Sequence, residues 1–242
     1  MKYAIFSDIH SNLEAFQAAL DSMDREGTEK RIFLGDIVGY GANPNECIEL
    51  LKNNSDLVLA GNHDYGLIGK TGLDRFNRYA KEALLWTKEV ISEDNIDYLE
   101  SLPIREEFDS MTLVHSSPKE PERWHYITNP AEATEQFPAF NTQVCFIGHS
   151  HHPIIIEMTQ AGEISGGLES EMQIKSGHCY IINAGSIGQP RDGNPDAAYC
   201  LYDSEQGLAK IIRVPYNIKG QQAKMKKAGL PERLIDRIEH GK

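Results

Sequence analysis

The sequence predicts an α/β fold, and three of its features support that class. In the first 60 residues strand-like apolar runs alternate with amphipathic helices, and a β-α-β-α-β order favours a largely parallel sheet with helices packed on it. After residue 143 short strands follow one another through turns, which predicts antiparallel pairing. Six strand-like runs are each followed directly by a cluster rich in aspartate, asparagine or histidine. These clusters are therefore expected to meet at one rim of the sheet.

The first three strands are predicted at residues 2–7, 31–35 and 56–60. A helix is predicted after the first strand from apolar residues at helical spacing, which are Leu13, Phe16, Ala19, Leu20 and Met23. A second helix is predicted after Pro44 from a similar set, which is Cys47, Ile48, Leu50 and Leu51. These elements make up the alternating opening of the chain.

Two segments interrupt the strands in the middle of the chain. Residues 66–110 are predicted to form a helical insertion or cap, because their apolar positions recur at helical spacing. Residues 119–142 are rich in proline and aromatic side chains and are predicted to form an irregular loop over the site. A C-terminal helix, broken near Gly229, is predicted within residues 219–240. We therefore expect a single domain, residues 1–242, with a helical insertion.

Composition excludes several classes of protein. Twenty-four basic against thirty-six acidic residues give a net charge of −12, which disfavours an extended nucleic-acid groove. No apolar run approaches the roughly 18 residues of a membrane helix. The N-terminus lacks the apolar stretch of a signal peptide, so a cytoplasmic protein is expected. The four cysteines are widely spaced and are expected to be reduced, mostly buried thiols, at Cys47, Cys145, Cys179 and Cys200.

The polar clusters supply side chains typical of metal ligands. Asp8 and His10 follow the first strand two residues apart, so in an extended conformation their side chains leave the same face. His149 and His151 repeat this spacing in G-H-x-H. The remaining candidates follow other strands, and they are Asp36 in G-D, Asn62 in G-N-H-D and His115.

Two carboxylates, one amide oxygen and four imidazoles exceed the ligands that one tetrahedral zinc needs, and they suit two metal ions sharing a ligand. Mixed nitrogen and oxygen ligation without thiolate favours Mn²⁺, Fe, Zn²⁺ or Ni²⁺ over Ca²⁺. The expected cofactor is therefore two divalent metal ions, with Mn²⁺ as the first choice.

The ordered series D-x-H, G-D, G-N-H-D, H and G-H-x-H resembles the calcineurin-like metallophosphoesterases. The flanking words GDIVGYGANPNE and NAGSIGQPRDG are similar to those of bacterial and archaeal phosphodiesterases or diadenosine-tetraphosphatase-like hydrolases. The resemblance covers residues 8–191. It implies a four-layer α/β/β/α fold, in which two sheets form a sandwich flanked by helices.

The resemblance also implies roles for individual residues. One metal ion would be held by Asp8, His10 and His151. The other would be held by Asn62, His115 and His149, and Asp36 would bridge the two. His63 would face the phosphoryl group of the substrate, and Asp64 would orient His63.

Charge then suggests a mechanism. Two divalent ions carry a charge of +4 and two carboxylates carry −2, so the site has a net positive charge that favours a phosphate. Bound metal ions also lower the pKa of water to about 7. The expected reaction is in-line attack of hydroxide on phosphorus, with protonated His63 as stabiliser or general acid. Arg191 is open to two interpretations, a bidentate phosphate clamp or an exposed turn residue.

The expected function is hydrolysis of phosphate esters, most specifically by a phosphodiesterase or dinucleoside polyphosphate hydrolase. The expected partner is a small phosphorylated substrate of nucleotide type, whose base could stack on Trp124, Tyr126 or Tyr40. Neither extended nucleic acid nor a membrane is expected as a partner, and a homodimer stays open. The alternatives are a phosphomonoesterase or protein phosphatase, and a non-catalytic scaffold of the same fold.

Overall fold

The computed structural model describes residues 1–242 as two six-stranded mixed sheets with helices packed on them. The strands are β1 (Lys2–Phe6), β2 (Lys30–Phe33), β3 (Leu57–Val58), β4 (Arg105–Phe108), β5 (Met111–Val114), β6 (Val144–Ile147), β7 (Ile154–Met158), β8 (Ile164–Gly167), β9 (Glu171–Gln173), β10 (Cys179–Asn183), β11 (Ala197–Asp203) and β12 (Leu208–Val214). The helices are α1 (Leu13–Arg25), α2 (Pro44–Asn54), α3 (Asn62–Leu67), α4 (Arg78–Val90), α5 (Glu93–Ser101), α6 (Pro130–Ala133), α7 (Ile218–Lys227) and α8 (Glu232–Arg237). The two-sheet fold predicted from the resemblance is confirmed.

The strand order of the first sheet is β3-β2-β1-β11-β12-β9, and that of the second is β4-β5-β6-β10-β7-β8. In the first sheet β1, β2 and β3 are parallel as expected, but β11 pairs antiparallel with β1. The expectation of a largely parallel opening sheet is therefore wrong for half of that sheet. Strands from the end of the chain complete it, and no local pattern in the first 60 residues reveals that pairing.

Alternation along β1 shows how the layers form. Tyr3 and Ile5 face the second sheet and join a core of buried side chains from both sheets. Ala4 and Phe6 face the opposite way and pack against α1 and α2. A third cluster covers the outer face of the second sheet with side chains from the segment around α6.

The parallel strands of both sheets end at the same rim. Asp8, Asp36 and Asn62 follow β1, β2 and β3, whereas His115 and His149 follow β5 and β6. Parallel strands place their carboxyl ends on one edge of a sheet, so five candidate ligands from two sheets reach one place. The sandwich therefore brings together residues that are far apart along the chain.

The predicted insertion contains α4 and α5, but it also includes β4, which pairs with β5. Helix α4 packs against α7 and α8 through a buried cluster that includes Ala83, Met225 and Leu234. The C-terminal segment consists of two helices separated around Gly229 and Pro231, where the break was predicted. The division of the chain into a core domain and a cap stays a prediction.

Two further observations concern the expectations from composition. All four cysteines are free thiols, three of them buried. No helix combines the length and the apolar character that crossing a bilayer requires.

A polar cluster on the second sheet ties β7 to β10. Glu157 lies opposite Tyr180 in the register of these strands, and its Oε1 accepts hydrogen bonds from the Tyr180 hydroxyl at 2.7 Å and from His178 Nδ1 at 2.8 Å. These hydrogen bonds, that of Tyr180 first, hold the pKa of Glu157 below its ordinary value. His178 therefore has a structural role.

We predict that Glu157→Gln lowers the free energy of unfolding at pH 7 by about 1 kcal/mol, because the amide replaces charge-assisted hydrogen bonds. The pKa of Glu157 is lower in the folded than in the unfolded chain, so this stabilisation is complete above the ordinary pKa of 4.5 and is lost as the pH falls through the folded value. Urea unfolding at pH 7 measures the loss of stability, and urea unfolding at a series of pH values below 4.5 measures how the difference between the variants disappears. Glu163→Gln, at an exposed position, is the control. Equal stability of the two variants at pH 7 would contradict the prediction.

Candidate metal centre

The aspartate and histidine side chains assigned as ligands all lie buried at the common rim. Their ligand atoms form compact groups in which all atoms lie within 4.8 Å of one another. These groups are Asp8–His10–His151, His10–Asp36–His63 and Asp36–His115–His149. The groups overlap through His10 and Asp36, so the rim holds one continuous cluster.

The first set consists of Asp8, His10 and His151. His151 Nε2 lies 3.1 Å from Asp8 Oδ1 and 3.1 Å from His10 Nε2. The Nδ1 atoms of His10 and His151 lie 2.9 Å and 2.6 Å from backbone carbonyl oxygens, to which they donate. Burial lowers the pKa of both imidazoles well below the ordinary value, so each is neutral with its proton on Nδ1.

The two Nε2 atoms therefore direct lone pairs at each other across 3.1 Å, which is repulsive. Asp8 Oδ1 is buried beside them and accepts no hydrogen bond. A cation between these three acceptors would satisfy all of them, and neutral imidazole with a carbonyl partner on the other nitrogen is the usual state of a metal-binding histidine. The residues of this set therefore fit a divalent metal ion.

The second set consists of Asn62, His115 and His149. His115 Nε2 lies 3.3 Å from Asn62 Oδ1, and its Nδ1 lies 3.1 Å from the carbonyl oxygen of Leu34. His149 donates from Nε2 to the carbonyl oxygen of Trp124 at 3.0 Å, which leaves Nδ1 as its free acceptor. Burial lowers the pKa of His149 to about 3, so this imidazole is neutral.

Asp36 lies between the two sets. Its Oδ2 is 3.7 Å from His10 Nε2 and 3.3 Å from His115 Nε2, while its Oδ1 accepts the backbone N–H of His63 at 2.7 Å. Burial alone would raise the pKa of Asp36, but His115 and His63 hold it well below the ordinary value. Burial alone would lower the pKa of His115, whereas Asp36 outweighs it and raises that pKa to about 9. An ionised Asp36 is thus placed to serve both sets.

The backbone at this rim is in the left-handed region. Non-glycine residues adopt it rarely, at a cost of roughly 1–2 kcal/mol each. Five candidate ligands do so, with φ between 47° and 67°, and they are Asp8, His10, Asp36, His149 and His151. The extended geometry expected for D-x-H and H-x-H is therefore wrong, because both pairs lie in tight turns beyond their strands. The side chains converge nevertheless, because the left-handed backbone directs them toward one another at a cost in strain.

Asp64 does not orient His63, contrary to expectation. Its two carboxylate oxygens accept four backbone N–H groups at 2.9–3.2 Å, from Asp36, Ile37, Val38 and Gly61. Asp64 therefore fixes the turn that carries Asp36. It is a positioning residue for the cluster rather than a partner of the imidazole.

His63 is buried at the edge of the cluster, and its Nδ1 has no hydrogen-bond partner. Its ring lies between those of His10 and Phe76, with centroid distances of 4.7 Å and 5.1 Å. Burial lowers the pKa of His63 to about 4, with Arg191 adding to the effect and Asp36 opposing it. The His63 imidazole is therefore neutral, and not protonated, in the free protein at pH 7.

Arg191 lies beside the cluster, half-buried, with its guanidinium 5.6 Å from the centre of the Tyr40 ring. Nε and Nη2 donate to Gln189 Oε1, and Nη2 also lies 3.3 Å from the Tyr40 hydroxyl. Nη1 makes no hydrogen bond within the protein. Arg191 is thus held in place with one nitrogen free, rather than exposed in a turn.

Several groups that shape the centre were not predicted from the sequence. The backbone carbonyls of Leu34, Val38, Trp124 and Gln189 set the histidine tautomers, and a carbonyl leaves no trace in residue identity. Asn183 at the end of β10 donates to the Gly148 carbonyl at 2.6 Å and to Ser150 at 3.0 Å, which holds the G-H-x-H turn. His152 is not part of the cluster, and its Nδ1 lies 2.8 Å from the Ser150 carbonyl oxygen.

We predict that Gly61→Ala weakens metal binding at least tenfold, as loss of a residue supporting a metal ligand does. An added Cβ would lie 2.2 Å from Asp36 Oδ1 and 2.6 Å from the Asp36 nitrogen, so the carboxylate must move. Metal titration with circular dichroism measures affinity and folding. In the control Gly72→Ala, the new Cβ meets only the flexible end of Asp74. A folded Gly61→Ala protein with unchanged affinity would refute the prediction.

The chain is similar in sequence to a known protein family and to an archaeal protein. The family model of the calcineurin-like phosphoesterase superfamily domain matches residues 1–207. An uncharacterized protein of Methanocaldococcus jannaschii is 42% identical over an alignment of 248 positions, which covers 97% of this chain and 96% of that protein.

Solved structures are similar over the whole chain. The crystal structure of a metallophosphoesterase from Sphaerobacter thermophilus is 40% identical with a TM-score of 0.88, covering 100% of this chain and 99% of that one. A hypothetical protein from Pyrococcus horikoshii is 25% identical with a TM-score of 0.80, covering 100% of this chain and 98% of that one. The chain therefore belongs to the calcineurin-like phosphoesterase superfamily and is a phosphoester hydrolase.

Proposed function

We propose that this hydrolase is a phosphodiesterase that acts on small nucleotide-type substrates with two divalent metal ions, Mn²⁺ by preference. Asp8, His10 and His151 would hold one ion. Asn62, His115 and His149 would hold the other, with Asp36 shared. The observation that carries the proposal is the meeting of two donor sets, buried except for Asn62, at one ionised carboxylate.

Metal ions bound there would supply positive charge for a phosphate and acidity for a water molecule. The chain itself supplies position and proton transfer. Neutral His63 keeps an unpartnered ring nitrogen at the cluster, and the negative charge of a bound phosphate raises the pKa of a neighbouring imidazole. His63 would therefore take up a proton with the substrate and deliver it to the oxygen of the leaving group. Arg191 would direct its free Nη1 at a phosphate oxygen.

The surroundings of the centre favour small substrates over protein substrates. Phe76 from the predicted insertion and Trp124 and Tyr126 from the 119–142 loop border a cleft of about 160 Å³ beside Asn62 and His149. A phosphorylated protein loop needs an open approach, whereas a small ester can place one substituent in such a cleft. A scaffold without activity is disfavoured, since every residue proposed as a ligand is present, and all of them except the half-buried Asn62 are buried in the cluster.

The proposal is tested with Mn²⁺-loaded protein, bis-p-nitrophenyl phosphate as diester and p-nitrophenyl phosphate as monoester. We expect a higher kcat/KM for the diester. Preference for the monoester would replace the proposal by a phosphomonoesterase, and inactivity across several metals and esters would favour the scaffold.

We predict that His63→Ala retains two metal ions per chain but lowers kcat for a diester with an alcohol leaving group, such as a dinucleotide, by roughly 10²–10⁴-fold, the usual contribution of general acid–base catalysis. Elemental analysis and steady-state kinetics give the two values. His178→Ala removes a histidine of the Glu157 cluster, far from the rim, and is the matched control. A His63→Ala enzyme with the full rate would remove this role.

Asp36→Asn should behave in the opposite way. The amide keeps the shape of the side chain but loses the charge that both donor sets share, so we expect at most one metal ion per chain and little turnover. The same elemental analysis measures the loss. Two tightly bound ions in this variant would exclude Asp36 as the shared ligand.

A further inference from the structure

The cleft beside the metal centre contains features that neither phosphate binding nor folding requires. It shares Asn62 and His149 with the second donor set, so a phosphate at the centre has its ester substituents within reach of the cleft. Phe76 lines it on the side of His63, and Tyr126 lines it on the side of His149. We name it the aromatic cleft.

Tyr126 is the most informative residue of the aromatic cleft. Its ring stacks on that of His149 with a centroid distance of 4.2 Å and an interplanar angle of 14°. Even so, 54% of the residue is exposed, which makes it one of few large hydrophobic residues of the chain on the surface. An aromatic face held against a candidate ligand and open on its other side is a stacking surface without an occupant from the protein.

The loop that presents Tyr126 is fixed rather than slack. Trp124 donates its indole N–H to Thr71 Oγ1 at 3.1 Å, and its carbonyl accepts from His149. Trp124 and Glu120 both adopt the left-handed backbone region, with φ of 60° and 52°. Strained backbone at bulky residues persists where the surroundings enforce it, and it clusters at ligand clamps. The position of Tyr126 is therefore set in advance.

Charge at the aromatic cleft favours an anion. Arg75 and Arg123 line it in a chain whose net charge is −12. Arg123 pairs with Glu120 at 3.0 Å, whereas Arg75 makes no ion pair. A planar ring that carries an anionic phosphate satisfies both features, because the ring covers Tyr126 and the positive charge of the arginines attracts an anionic ligand to the cleft. Nucleotides combine these groups.

We propose that the aromatic cleft binds the nucleobase of the substrate, stacked on Tyr126, while the attached phosphate lies at the Asp36 cluster. The inference rests on the proposed function and gives it a specificity residue. Tyr126 acts on affinity through contact with the base. The hydroxyl is not needed for stacking, so the ring alone carries the effect.

The test compares two ligands that differ only in the base, AMP and ribose 5-phosphate. Calorimetry on the Mn²⁺-loaded protein gives a Kd for each, with phosphate release followed in parallel. Stacking of one base changes affinity by roughly 5- to 150-fold, so we expect AMP to bind more tightly than ribose 5-phosphate by a factor in this range. The ratio of the two Kd values cancels any change in binding of the shared phosphate.

Three substitutions then locate the effect. Tyr126→Ala and Tyr126→Leu should bring the ratio close to one, and Tyr126→Phe should keep it, because only phenylalanine retains the aromatic face. Equal Kd values in the wild-type protein, or an unchanged ratio in Tyr126→Ala, would overturn the inference. Hydrolysis of the model diester by the same preparation reports separately on the proposed function, so an active enzyme with a ratio of one refutes the base site alone.

Discussion

The arrangement of this protein depends on buried acceptor atoms that face one another at one rim. His10 and His151 direct Nε2 lone pairs at each other across 3.1 Å, beside an unpaired oxygen of Asp8. A buried acceptor without a partner costs about 1–3 kcal/mol, and the left-handed ligand residues add to that cost. Cations offset such costs, because a ligand that binds only the folded state stabilises it. The rim is thus shaped for binding rather than for the stability of the protein by itself.

The two-sheet sandwich is what makes such a rim possible. Each sheet contributes parallel strands that end in the same direction, so turns from both sheets meet over a common core. Around the ligands, Asp64 and Asn183 use their side chains to hold turns, and backbone carbonyls hold the imidazoles. The precision of the centre therefore comes from groups that are not ligands themselves.

Residue identity was sufficient to predict which aspartate and histidine side chains gather at the rim, because such side chains are costly to bury unless they share a partner. It did not predict their local geometry. Asp8 and His10 converge from left-handed turns rather than from an extended strand. The spacing of two residues in the sequence does not determine the backbone angle φ at either residue. Antiparallel pairing of β11 with β1 joins segments about 200 residues apart, which local periodicity cannot report. The sequence did not predict that Asp64 holds the turn of Asp36. A carboxylate next to a histidine can accept a hydrogen bond either from the imidazole or from backbone N–H groups, and the sequence does not distinguish these partners.

In the proposed centre, Asp36 would join two cations. Electron paramagnetic resonance of the protein loaded with Mn²⁺ tests this role directly, because two Mn²⁺ ions that share a carboxylate are magnetically coupled and isolated ions are not. We expect a coupled spectrum at full loading. A spectrum of isolated six-line Mn²⁺ signals at that loading would contradict this role.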